Sequence, residues 1–215
     1  SGHSSWFVFD AVFGDFFSDG IDTTIDGGAG NDTIDASQMT GAVLRGGIGN
    51  DLILASGFNE PVNDSFVSFD AGEGEDTIRY DGAAPSDISF NQPFSFNGGS
   101  GSDLFDLRFN EGAELDANTL TSDPVVLPIV ILNDFEPGVD TIQIEPYVQN
   151  DTYQLTQARL EEDTVAGTTE LIISYESVTE VDRDLVVTIN AIGIDWDDID
   201  FINFDEETLA VPLAS

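Results

Sequence analysis

The sequence predicts an all-β fold, a parallel β-roll or β-helix solenoid of about four to five coils with a β-rich C-terminal cap. Three observations carry that expectation. A glycine-rich segment of nine residues occurs four times, each copy runs into a short β-prone stretch, and the spacing between copies is close to one two-strand coil.

Charge is the first constraint. The chain of 215 residues holds 42 acidic and 5 basic side chains, all five arginines, for a formal net charge of −37. A compact body with that charge repels phosphate and anionic lipid headgroups, which excludes nucleic-acid binding and membrane binding through a basic patch. Multivalent cations become natural partners. On composition alone the alternative is a solvated acidic surface of the halophile kind. With 40% hydrophobic and 10% aromatic residues the chain can still bury a sizeable interior. Cysteine is absent, so neither a disulfide framework nor a thiolate metal site is available. No apolar run is long enough for a membrane span.

In chain order, the opening segment Ser1–Ser5 followed by Trp6-Phe7-Val8-Phe9-Asp10 lacks the layout of a cleaved signal peptide. The Phe-rich start (Phe7, Phe9, Phe13, Phe16, Phe17) is read as a cap on one end of the solenoid. A docking surface for an upstream domain is the second reading.

The four repeats occupy residues 27–35, 46–54, 71–79 and 98–106 and read G-G-x-G-x-D-x-U-x, where U is large and apolar. Ala71 is the only departure. Glycine at positions 1, 2 and 4 permits tight, positive-φ turns and leaves backbone carbonyls uncovered. Those carbonyls and the aspartate at position 6 are hard oxygen donors of the kind calcium prefers. The candidate ligands are Gly28, Gly30 and Asp32; Gly47, Gly49 and Asp51; Gly72, Gly74 and Asp76; and Gly99, Gly101 and Asp103. Position 8 (Ile34, Ile53, Ile78, Phe105) is expected to point inward.

Successive aspartates lie 19, 25 and 27 residues apart, against about 18 for two nonapeptides. All four motifs therefore fall on one edge, one per coil. The intervals, Met39–Leu44, Val62–Val67 and Pro85–Phe90, each end in a β-prone run suited to a return strand, and the opposite edge is degenerate. Stacking places the aspartates in a column rising about 4.8 Å per coil. Neighbouring carboxylates then repel by roughly 3 kcal/mol per pair at an effective dielectric near 20. A calcium ion between each adjacent pair reverses that sign, and metal binding becomes folding energy. Four turns make three such gaps, hence about three ions. A dinucleotide-binding loop does not fit, because the glycine spacing differs and no helical pattern follows.

The nonapeptide resembles the hemolysin-type calcium-binding repeat of the repeat-in-toxin family. The resemblance covers residues 20–145 well and the remainder loosely. It implies a secreted or cell-surface bacterial protein exported through type I secretion machinery, folding on calcium outside the cell. Residues 134–142, D-F-x-P-G-x-D-x-I, look like the segment that closes the roll in this family. Asp140 is then either a further calcium ligand, giving a fourth ion, or part of a plain strand-turn-strand.

Residues 110–123 are polar and acidic, a connector. Residues 1–145 form the roll with its N-terminal cap, and 146–215 a β-rich capping and secretion region packed on it. Within the latter, Leu171–Ile173 and Leu185–Ile189 are β-prone, and Ala166-Gly167-Thr168 suits a hairpin turn. The Asp195–Glu206 window resembles an EF-hand loop but has Ile199 at position 5 and no glycine at position 6. It is read as an acidic turn. The terminus, Glu207–Ser215, is similar to an uncleaved type I secretion signal.

Chemistry beyond calcium has little to work with. His3 is the only histidine, so a Ser-His-Asp triad or an H-E-x-x-H site is implausible. The expectation is a non-catalytic calcium module. Two alternatives are a surface adhesin or carbohydrate-binding module, and a polysaccharide lyase, epimerase or glycosidase drawing on Arg45, Arg79, Arg108, Arg159 or Arg183.

Overall fold

A computed structural model describes residues 6–8, 23–35, 42–56, 68–83, 94–110, 125–145, 153–177 and 182–202. After β1 (Trp6–Val8) come five strand–turn–strand units. These are β2 (Thr23–Ala29) with β3 (Thr33–Asp35), β4 (Ala42–Ile48) with β5 (Leu52–Ser56), β6 (Ser68–Glu73) with β7 (Thr77–Ala83), β8 (Phe94–Ser100) with β9 (Leu104–Asn110), and β10 (Val125–Leu132) with β11 (Thr141–Glu145). The chain continues through β12 (Tyr153–Asp163), β13 (Thr168–Ser177), β14 (Arg183–Ile189) and β15 (Ile199–Phe201).

The strands form two sheets, ordered β1-β3-β5-β7-β9-β11-β15 and β12-β13-β14-β10-β8-β6-β4-β2. Neighbours from β1 to β11 pair in parallel, as a solenoid requires: each coil lays one strand in each sheet and passes to the next coil. The fold is therefore an all-β parallel roll.

Inward residues make two stacked columns. Ile25, Leu44, Phe69, Phe96 and Leu132 line one sheet, and Ile34, Ile53, Ile78, Phe105 and Ile142 the other; all are buried. Each such side chain, fully buried, is worth about 1.5–3 kcal/mol. Phe69 and Phe96 meet edge-to-face at 4.9 Å, the geometry aromatic quadrupoles favour. Position 8 of every repeat faces the core, as its spacing predicts.

Residues 62–67 and 85–90 lie outside the described residues, and the strands occupy Ser68–Glu73 and Phe94–Ser100, running directly into the glycines. The reason is side-chain alternation. Ile25, Leu44, Phe69 and Phe96 each sit two residues before motif position 1, so the inward face continues without a break into the turn.

Beyond residue 145 the chain is built into the same two sheets. β14 pairs in parallel with β10 and β15 with β11, adding a further coil. β12, β13 and β14 form an antiparallel meander. The β12–β13 turn falls at the expected Ala166-Gly167, with Asp163 Oδ1 accepting from the Val165 and Ala166 amides. Trp196–Asp198 form a short 3-10 turn capped by Asp195. The expectations for Phe9, Phe13, Phe16 and Phe17, His3, residues 111–123 and the terminus 207–215 lie outside the described residues. Among the described residues no helix is long and apolar enough to cross a membrane.

Candidate metal centre

The turn edge requires glycine at two repeat positions for two reasons. At position 2, φ is 92° to 114° (Gly28, Gly47, Gly72, Gly99), and at position 4 it is 130° to 149° (Gly30, Gly49, Gly74, Gly101). Such values exclude most side chains. Packing adds a second bar. A Cβ on Gly47, Gly72 or Gly99 would strike the position-2 carbonyl oxygen of the preceding coil, and one on Gly49, Gly74 or Gly101 its position-4 carbonyl. These carbonyls are thus aimed along the stack at the next turn.

The four motif aspartates and Asp140 form one column, all buried. The amide of each aspartate donates to Oδ1 of the next: Asp32 to Asp51 at 2.7 Å, Asp51 to Asp76 at 2.6 Å, Asp76 to Asp103 at 2.9 Å and Asp103 to Asp140 at 2.9 Å. Position 5 stitches in the opposite direction. The Asn50 amide donates to Asn31 Oδ1 (3.1 Å) and the Glu75 amide to Asn50 Oδ1 (3.3 Å). Sequence reasoning overlooked this second ladder, although a polar residue fills position 5 in all four copies. Backbone bonds complete the edge: Leu52, Thr77, Leu104 and Thr141 amides donate to the carbonyls of Asp32, Asp51, Asp76 and Asp103.

With Oδ1 committed, the other oxygen matters. Asp51 Oδ2 and Asp76 Oδ2 are buried and accept no hydrogen bond among the described residues. Burying a carboxylate oxygen without a partner is costly. Burial pushes Asp76 and Asp103 up to about 6, offset in part by the amide each accepts and reinforced by neighbouring carboxylates. Asp51 and Asp140 are also raised, chiefly by burial. Position 1 leaves no room for a side chain beside the first of these oxygens: a Cβ on Gly46 would come within 2.5 Å of Asp51 Oδ2.

The donor set fits a hard divalent cation. Among the described residues two buried carboxylate oxygens lack hydrogen-bond partners, adjacent turns repel, and carboxylate and carbonyl oxygens are donors of the kind a hard cation takes. Among the described residues no three His, Cys, Asp or Glu side chains converge on one point. A cation here would therefore combine column carboxylates with glycine carbonyls.

The fifth turn differs. Asp140 holds its column place, but its Oδ2 accepts the Glu136 amide at 2.8 Å. Asp134 accepts the Gly98 and Gly99 amides at 2.9 and 2.8 Å. The sequence reading missed Asp134; its signal was the first residue of D-F-x-P-G-x-D.

No family model matches the chain, and no curated protein matches it. Solved structures that resemble it weakly include two subunits of the mannuronan C5-epimerase of Azotobacter vinelandii. The AlgE6R3 subunit shows 16% identity and a TM-score of 0.36, covering 88% of each chain. The AlgE6R2 subunit shows 14% identity and a TM-score of 0.27, covering 91% of this chain and 98% of that one.

Proposed function

We propose that this chain is a calcium-binding module, secreted or displayed on a bacterial surface, that folds on calcium outside the cell and has no catalytic role of its own. One observation carries the reading: a column of buried aspartates in which Asp51 and Asp76 each keep an oxygen without a hydrogen-bond partner. Asp32, Asp51, Asp76 and Asp103, with carbonyls of the position-2 and position-4 glycines, would hold the ions. Bound calcium supplies positive charge between carboxylates that otherwise repel.

The rest is the chain's own work. Glycine turns bring carbonyls to the stack axis, and Oδ1 of each aspartate fixes the register of its neighbour. Where calcium is scarce, as in cytoplasm, the column opposes folding and favours an export-competent chain. Extracellular calcium modules typically bind with Kd of about 10⁻⁴–10⁻³ M. A site filled at one hundred times its Kd adds about 2.7 kcal/mol, so a few sites decide the fold. Export by type I machinery and attachment to an upstream domain belong to the same reading.

Four of the arginines that the polysaccharide-enzyme alternative would draw on face carboxylates among the described residues. Arg45 lies 4.0 Å from Asp70, Arg79 and Arg108 share Asp106 at 2.7 and 2.9 Å, and Arg159 pairs with Glu161 and Asp184. Arg79 of β7 reaches across to Asp106 of the neighbouring β9, and Arg108 shares that carboxylate from within β9, so these two arginines serve the stack.

Calorimetric titration with calcium in a magnesium background, alongside far-UV circular dichroism, tests the proposal. Saturable calcium binding with a gain of β-structure is expected. A chain equally folded in chelator, with no heat of calcium binding, would sink it.

A further inference from the structure

We infer that the ion file stops at the fourth turn, because the fifth turn is closed by the protein's own carboxylates and holds no cation between Asp103 and Asp140. The inference rests on the calcium reading above and deepens it. Upstream, each turn continues into another by backbone bonds: the position-4 amides of Gly30, Gly49 and Gly74 donate to the carbonyls of Ile48, Glu73 and Ser100. At the fifth turn this pattern changes. The corresponding amide, that of Gly138, donates to Asp198 Oδ1 at 2.7 Å, and Asp198 is buried.

At this edge three carboxylates, Asp198 among them from the added coil of β14 and β15, thus receive turn amides. Asp134 receives two amides from the last full motif. Asp140 receives one from Asp103 and one from Glu136, so both its oxygens are occupied. Asp198 receives the Gly138 amide with one oxygen and the Asp195 amide with the other. An oxygen whose lone pair faces an N–H presents no free electron pair to a cation in that direction, and the charge-assisted bonds, stronger than neutral ones, hold it there. The turn keeps Gly138 at position 4 but has lost the position-2 glycine that aims a carbonyl along the stack. Phe135 and Glu136 stand at positions 1 and 2, and the Phe135 ring is buried against Phe105, 6.0 Å between centroids. Amide dipoles replace metal as the counter-charge, and the file ends.

The test counts calcium bound per chain by equilibrium dialysis in a magnesium background, on the full chain and on Asp51→Asn and Asp140→Asn. Absence of saturable binding by the unaltered chain would remove the calcium reading itself. Given binding, Asp51→Asn is expected to lose at least one ion and Asp140→Asn to keep the full count. Loss of an ion from Asp140→Asn, as from Asp51→Asn, would overturn the inference. If Asp140→Asn does not fold, anomalous scattering from terbium-loaded crystals of the unaltered chain decides. Peaks between the first four turns and none within coordinating distance of Asp140 support the inference, and a peak bound to Asp140 contradicts it.

Discussion

The coils from β2 to β9 and the region from β10 to β15 share two sheets and one core, yet they close their turn edges by different chemistry. In the first, glycines at positive φ and a column of buried aspartates leave carboxylate oxygens without hydrogen-bond partners at Asp51 and Asp76. In the second, the carboxylates of Asp134, Asp140 and Asp198 are filled by backbone amides. There, Leu171, Ile173, Leu185 and Val187 add an aliphatic core. On the proposed calcium reading, one end waits for a cation and the other holds without one. The same residue type thus serves opposite purposes, and the difference lies in what its second oxygen meets.

Several substitutions sharpen this contrast. Gly74→Ala should be the most damaging, by about 3–5 kcal/mol in the calcium-loaded protein, because a positive-φ penalty adds to overpacking against the Gly49 carbonyl. Chemical denaturation measures it. Leu185→Ala should cost about 3 kcal/mol. Because Leu185 packs in the aliphatic core, its melting shift should not be reduced by calcium. A loss confined to the calcium-free form would break the distinction between the regions.

Acid provides the next test. Asp76 and Asp103 are raised to about 6 from an ordinary value of 3.8, so the folded state favours their protonated forms. Without calcium, their contribution to stability is fully present below pH 3.8 and is lost as the pH rises through about 6. On the proposed reading calcium reverses the preference, since it would bind the ionised carboxylates. Melts in chelator should therefore gain stability from pH 7 to pH 5, while melts in calcium should not.

The smallest effect is expected at Gly167→Ala. Its φ of 77° matches the positive region, but a Cβ there meets nothing within 4 Å among the described residues. The cost should be about 1 kcal/mol, and the gap from Gly74→Ala isolates the packing of turn on turn.

The roll was legible because its signals are local. Turn glycines, the position-6 aspartate and the inward position-8 residue lie within nine positions, and each has a physical reason to recur. The return strands were harder to place, since short apolar runs such as those at residues 62–67 and 85–90 carry no mark of where the turn begins. That mark is the residue two places before motif position 1. The position-5 ladder and the roles of Asp134 and Asp198 escaped because they depend on partners far along the chain. Gly138 and Asp198, for example, are 60 residues apart.

The most direct test of the account follows amide exchange at Leu52, Thr77 and Leu104, whose N–H groups bond to the carbonyls of the column aspartates. At pH 7 these amides should be strongly protected in calcium and should exchange freely once a chelator is added. Equal protection in both conditions would contradict the claim that the aspartate column needs divalent charge to stand.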